Sequence, residues 1–361
     1  MYGKIHEIVA IFGVLVTGAS GYAATHCVQQ LLASGYLVRG TVRSLKNPEK
    51  VQPLRVLKFA QERLELVEAD LEKADSWPKA VDSCDYVFHV ASPIQLVSDG
   101  NAIKVAVDGT LNVLEACAKC HTVKKVVLTS SMAAIKYGRE TTDKVLTEDD
   151  WSNVNGKGIN EYQKSKTLAE KAAWDFVKSI PEGDNQFKLT CLNPGFIVGP
   201  LLTDVQGASV TLIKRVLNHE IPGLPMLYFS MIDVRDFAKA NILAMENPKT
   251  DGERIILGYN EDHNLRDVAD FLDKEFGPQG YNIPKRKLPY FLLWIASFFN
   301  ATVKDALPMI GVKEKISNAK ARDLLQIEFT HPEKSLVDMG YSLIEKGIVP
   351  KKGGYKPRTH L

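Results

Sequence analysis

No stretch of this 361-residue chain is apolar for long enough to cross a bilayer, which takes roughly 20 consecutive residues. Charge of one sign is missing too. The 45 basic and 43 acidic residues leave a net charge of +2, too even for a nucleic-acid partner to be proposed. Cysteine is scarce and odd in number: Cys27, Cys84, Cys117, Cys120 and Cys191 read as reduced thiols, so the expected location is cytoplasmic. Cys117-x-x-Cys120 has no second pair near it. The apolar spacing of Leu111, Leu114 and Ala118 makes it part of a packed helix rather than a zinc site, and no metal is expected. There is no Ser- or Gly-rich linker and no internal repeat, so two lobes sharing a cleft are expected. The basic end Lys351–Arg358 reads as solvated, and Thr359-His-Leu361 is only loosely like a peroxisomal ending.

What is present is a strand-helix alternation. Apolar runs at Val9–Thr17, Tyr36–Val42, Leu64–Ala69, Tyr86–Val90, Val126–Ser130 and Lys188–Leu192 predict strands. Helices are predicted between them at Ala23–Ala33, Pro48–Gln61, Trp77–Val81, Asn101–Ala118 and Tyr162–Val177. This pattern predicts an α/β fold, a Rossmann-type doubly wound parallel sheet covered on both faces. Beyond residue 193 the chain turns Pro/Gly-punctuated and mostly helical. Residues 1–193 are therefore expected to bind a dinucleotide and 194–361 to form a smaller substrate lobe, with Arg254–Leu257 returning as a strand. Tyr290–Phe299 is half the length of a membrane span and is expected to be a buried helix or pocket wall. Asn300-Ala-Thr302 is a sequon without a secretory signal.

Gly18-x-x-Gly21-x-x-Ala24 follows the first strand and opens a helix. Such a turn brings backbone N–H groups and a helix N-terminus to a pyrophosphate, with Gly18, Ser20, Gly21, Tyr22 and Ala23 as contacts. Arg43 stands where an acidic residue would hold the 2′-hydroxyl of NAD. A guanidinium there suits the 2′-phosphate of NADPH, with Lys50 beside it; the plainer alternative is a solvated arginine. Asp70 and Leu71 close the third strand and are placed to meet adenine, although Asp70 could instead cap the following helix. Thr129-Ser130-Ser131 ends the fifth strand, where open α/β sheets hold their ligands. Tyr162 and Lys166 share one helical face. A nearby ammonium lowers a tyrosine pKa, so Tyr162 could protonate a carbonyl oxygen while Ser131 donates to it.

In this order, Val14–Tyr22, Gly40–Arg43, Val87-Phe-His-Val-Ala-Ser-Pro93, Gly109–Ala116, Leu128–Ser131, Tyr162–Glu170 and Asn193–Pro200 resemble the extended short-chain dehydrogenases/reductases. The likeness is to the dihydroflavonol reductase and cinnamoyl-CoA reductase-like group and covers residues 9 to 240. It implies catalytic roles for Ser131, Tyr162 and Lys166, with the two last also holding nicotinamide ribose. It further implies cofactor contacts from Val90, Ala91, Ser92, Thr129, Pro194, Gly195, Ile197 and Ser209, and NADP(H) as cofactor. The implied partner is a small carbonyl compound, and family members form homodimers through the Tyr162 helix and the one before it. Two departures stand out. Lys136 occupies the position of a flavonoid-binding asparagine, and the Trp and Cys of the cinnamoyl-CoA signature are absent around Tyr162. The expected activity is NADPH-dependent reduction of a ketone, aldehyde or dihydroflavonol-like carbonyl. A 3β-hydroxysteroid dehydrogenase, a sugar-nucleotide epimerase and a non-catalytic NADP sensor are the alternatives. Pocket walls are expected at 95–100, 132–140, 200–230 and 285–300.

Overall fold

A computed structural model describes residues 13–92, 101–140, 143–181, 183, 186–205 and 207–358, without the side chains of 301 and 302. Residues 9–12 of the first predicted strand, 95–100 of the predicted pocket wall and the terminal 359–361 lie outside the described residues.

Seven strands form one parallel sheet: β1 (Gly13–Val16), β2 (Leu37–Val42), β3 (Leu64–Glu68), β4 (Tyr86–His89), β5 (Lys125–Thr129), β6 (Lys188–Pro194) and β7 (Arg254–Leu257). Their spatial order is β7-β6-β5-β4-β1-β2-β3. Both faces are covered at the centre of the sheet and at β7, so those strands are apolar rather than alternating: Val14, Leu15 and Val16 are fully buried, as are Ile255, Ile256 and Leu257; the edge strand β3 exposes Glu65 and Glu68. The order reverses between β1 and β4, which opens a crevice at their carboxyl ends.

The principal helices are α1 (Tyr22–Ala33), α2 (Ala102–Lys119), α3 (Glu161–Ser179), α4 (Ala208–Leu217), α5 (Val234–Glu246), α6 (Leu265–Phe276), α7 (Tyr290–Ser297) and α8 (Pro332–Glu345). Helices α1 and α5 pack on one face of the sheet, α2 and α3 on the other. Helices α4, α6 and α8 bury a separate apolar cluster and make the helical C-terminal lobe. The Rossmann architecture and the helical C-terminal region are as expected. The return to the sheet is larger than one strand, because α5 and the Ala321–Ile327 stretch also join its core.

Three local readings need correction. The predicted helix Pro48–Gln61 is broken into Pro48–Arg55 and Ala60–Arg63, because Phe59 takes a left-handed φ of 68° between them. The basic C-terminal stretch is exposed but fastened. Arg358 joins Lys334 and Arg235 around the fully buried carboxylate of Asp338, and Lys356 N–H donates to Gln279 Oε1 at 3.1 Å. A buried carboxylate needs such partners. Helix α7 is neither buried nor a tight wall: of its eight residues only Leu293 is buried.

Candidate active site

The glycine turn is built for close approach. Gly18 has φ 62°, its N–H donates to Thr41 Oγ1 at 2.9 Å, and a Cβ there would lie 3.1 Å from Ala91 Cβ. Gly40 brings β2 equally near, since its Cβ would fall 2.8 Å from Ala19 Cβ. Gly21 is the N-cap of α1 in extended conformation, and no side chain caps the helix. Its first-turn N–H groups are thus left for an anion. Ser20, Tyr22 and Ala23 are half-buried around this end. Tyr22 has a structural tie as well: its hydroxyl donates to the Gly199 carbonyl at 2.7 Å, and burial raises its pKa well above the ordinary value.

Arg43 stands exposed just past β2 and makes no ion pair among the described residues. Lys50, in the first turn of Pro48–Arg55, is half-buried. Asp70 is not a helix cap. The short turn after it begins past Lys73 and has no side-chain cap, while Asp70 Oδ1 accepts from Glu72 N–H at 3.2 Å and its carbonyl accepts from Trp77 Nε1 at 2.9 Å. Leu71 is held by α2: Asn112 Nδ2 donates to its carbonyl at 2.8 Å, and a Cβ on Gly109 would come within 2.9 Å of its Cβ. Leu71, Ala91, Ser92, Thr129 and Lys166 line one pocket together with His89, Ser130 and Glu170. Val90, half-buried, precedes them at the end of β4.

Tyr162 is set by the start of α3. Asn160 caps this helix by accepting from Gln163 N–H at 2.9 Å, and Gln163 Oε1 accepts from Asn160 N–H at 3.0 Å. That reciprocal box fixes the first turn, which carries Tyr162. The residue as a whole is 41% exposed, and its hydroxyl neighbours Ser131. Burial raises the phenol pKa, the Ser131 hydrogen bond opposes this, and Tyr137 adds to it. Ser131 caps its own short turn, its Oγ accepting from Ala133 N–H at 3.0 Å.

Lys166 lies one turn further along and is buried. Burial pulls its pKa down to about 8 against the opposing charge of Glu170. Its Nζ reaches the Thr129 carbonyl at 3.4 Å. The expected lowering of the Tyr162 pKa by this ammonium is not seen. Lys166 is turned toward β5 and Glu170, and burial of the phenol dominates. Thr129 Oγ1, facing the pocket, is buried without a partner among the described residues, a polar atom free for a ligand.

Pro194 is the last residue of β6, and Gly195 and Ile197 follow it. Gly195 is required there, since a Cβ would lie 2.0 Å from the Ser230 carbonyl oxygen. Ser209 is buried in the first turn of α4, within the C-terminal lobe. Lys136 sits over the Tyr137 ring at 5.2 Å. Burial disfavours its charge, but Tyr137, Asp262 and Glu314 outweigh that and hold its pKa above the usual value.

Sequence reasoning assigned no role to the residues that brace this site. Glu170 is fully buried and accepts from Arg254 Nε at 2.6 Å, from Asn193 Nδ2 at 2.8 Å and from Ser130 Oγ. One side chain therefore ties α3 to β5, β6 and β7. Its available signal was position: four residues after Lys166, on the same face of α3. His89 was a second omission. Its Nδ1 lies 3.0 Å from Thr17 Oγ1, which also accepts from Ala91 N–H at 2.9 Å, so β1 and β4 are clamped beside the glycine turn.

The family profile of the NAD dependent epimerase/dehydratase family matches residues 14–258. The chain is 41% identical over 251 residues to cinnamoyl-CoA reductase CAD2 of Medicago truncatula, covering 68% of this chain and 75% of that one. It is 31% identical over 350 residues to dihydroflavonol 4-reductase of Zea mays, covering 93% and 90%. In three dimensions it is similar to Gre2 of Candida albicans in complex with NADPH, with a TM-score of 0.76, 30% identity and coverage of 92% and 99%. Sheet order, glycine turn and these matches agree: the chain belongs to the NAD dependent epimerase/dehydratase family, as an extended short-chain dehydrogenase/reductase of the dihydroflavonol reductase and cinnamoyl-CoA reductase-like group.

Proposed function

We propose that the protein is an NADPH-dependent reductase that converts the carbonyl of a small ketone, aldehyde or dihydroflavonol-like compound to the alcohol. The observation that carries this reading is the gathering of Ser131, just past β5, Tyr162, whose hydroxyl neighbours it, and Lys166, buried one helical turn away with its Nζ 3.4 Å from the Thr129 carbonyl. All three stand at the strand edge that the glycine turn also occupies. The uncapped α1 N-terminus, the Gly18 approach to Ala91 and the unpartnered Thr129 Oγ1 fit a dinucleotide.

NADP(H), when bound, supplies the hydride. Arg43 and Lys50 would hold its 2′-phosphate, Asp70 and Leu71 its adenine, Val90 to Ser92 and Lys166 its ribose side, and Pro194 to Ile197 with Ser209 would complete the cradle. Tyr162 donates its phenolic proton to the substrate oxygen, and Ser131 orients that oxygen by a second hydrogen bond. Residues 194–361, apart from α5, β7 and the Ala321–Ile327 stretch, form the substrate lobe. The five cysteines are free thiols, which supports a reducing, cytoplasmic setting.

The test is Tyr162→Phe, followed by NADPH consumption against a panel of carbonyls and by NADPH binding. Turnover should fall by at least about 100-fold for every reduced carbonyl, with NADPH affinity nearly unchanged. Retained turnover in the variant would remove Tyr162 from the mechanism.

A further inference from the structure

Helix α7 presents apolar side chains on every side and anchors to the protein chiefly through Leu293. Phe298 and Phe299, just beyond it, are 67% and 88% exposed, and Tyr290, Phe291, Trp294 and Ile295 are exposed as well. Apart from the Tyr290 hydroxyl and the Trp294 indole N–H, its polar side chain is Ser297, which is satisfied internally, donating to the Trp294 carbonyl at 2.6 Å. The run before it is basic. Lys285 is paired with Asp273 at 2.6 Å, whereas exposed Arg286 and Lys287 have no ion pair among the described residues.

The segment is held in place rather than loose. Leu224 N–H donates to the Arg286 carbonyl at 2.8 Å, Leu288 N–H donates to the Leu224 carbonyl at 3.1 Å, and Gly223 lies against the Leu288 side chain.

We propose that α7 and the adjoining cations form a docking surface for an anionic phospholipid bilayer. A helix that seats in a protein groove keeps a polar face for water; α7 has none. Eight residues rise about 12 Å, far too short to span a bilayer but enough to enter the headgroup and upper acyl region. Tryptophan, tyrosine and phenylalanine favour that boundary, and free Arg286 and Lys287 beside them complement anionic headgroups. The helix is linked to the start of α3, which carries Tyr162, through the segment that follows it. Helix α7 packs on the segment through residue 309, and Met309 Sδ accepts from Gln163 Nε2 at 3.2 Å, one residue from Tyr162. Docking would bring the substrate side of the cleft to the bilayer.

The full-length protein is sedimented with phosphatidylcholine vesicles containing or lacking phosphatidylserine. It should pellet with the anionic vesicles and much less with the neutral ones. Arg286→Gln with Lys287→Gln should weaken binding on the order of tenfold, and Trp294→Glu with Phe298→Glu should abolish it. These side chains are exposed, so thermal melting of both variants should match the parent protein, which separates docking from folding. No pelleting of the parent with either vesicle, or pelleting indifferent to all four substitutions, overturns the proposal. So does a dimer that Trp294→Glu with Phe298→Glu dissociates while vesicles bind neither protein; the face would then cover a second copy.

Discussion

Acidification should destabilise this protein through two histidines that the fold keeps neutral. His26, on α1, places its Nε2 2.9 Å from the Pro200 carbonyl, and burial pulls its pKa down to about 4 against that hydrogen bond. His89, at the end of β4, is pulled down to about 3, by burial first and by the Lys166 charge second. In the unfolded chain both titrate near 6.5. As pH falls below that value the unfolded state takes up protons that the folded state refuses, so stability drops until the folded pKa is reached. Between pH 7.5 and pH 5 each histidine should remove about 2 kcal/mol, together roughly 4 kcal/mol. Asp236, Asp262 and Glu314 have raised pKa values, chiefly from burial, and oppose the trend. The informative quantity is therefore the difference between the parent and His26→Gln, which retains a donor for Pro200. Urea unfolding at the two pH values should show the variant losing about 2 kcal/mol less than the parent. An identical loss in both would refute the claim that His26 is held neutral.

Arg43→Ala should lower the preference for NADPH over NADH by roughly 10- to 100-fold, the value of a charge-assisted contact. Because Arg43 makes no internal ion pair among the described residues, the melting temperature should not move; an unchanged preference would remove the 2′-phosphate assignment. Glu170→Ala strands Arg254 beneath the sheet edge and should cost about 3–5 kcal/mol in denaturant unfolding, as for a broken buried pair. A loss below about 1 kcal/mol, the scale of an exposed pair, would show that Glu170 does not brace the strands.

The fold and the outline of the site could be read in sequence because they rest on short-range patterns. Strand β7 lies where its apolar run predicted, and the glycine turn stands at the end of β1. Asn160 and Gln163 spell a capping box three residues apart, so the entry of Tyr162 into its helix is written locally. Where prediction stopped short, a distant partner decided the outcome. Glu170 meets Arg254 across 84 positions, and His89 meets Thr17 across 72. The direction of the Tyr162 pKa depends on how closely Tyr137 and the surrounding chain enclose its hydroxyl, which helical spacing alone does not express.

The sequence by itself determined the order of strands and helices, the glycine turn after β1 and the capped start of the helix that carries Tyr162 and Lys166, because periodicity, glycine placement and capping act within a few residues. Only the tertiary structure decided that Glu170 binds three strands to α3 and that Asp338 gathers the basic C-terminal stretch. It also decided that the apolar run at 290–299 faces outward. Hydropathy states that such a segment avoids water; whether the rest of the chain supplies a surface to cover it is a property of the packed molecule.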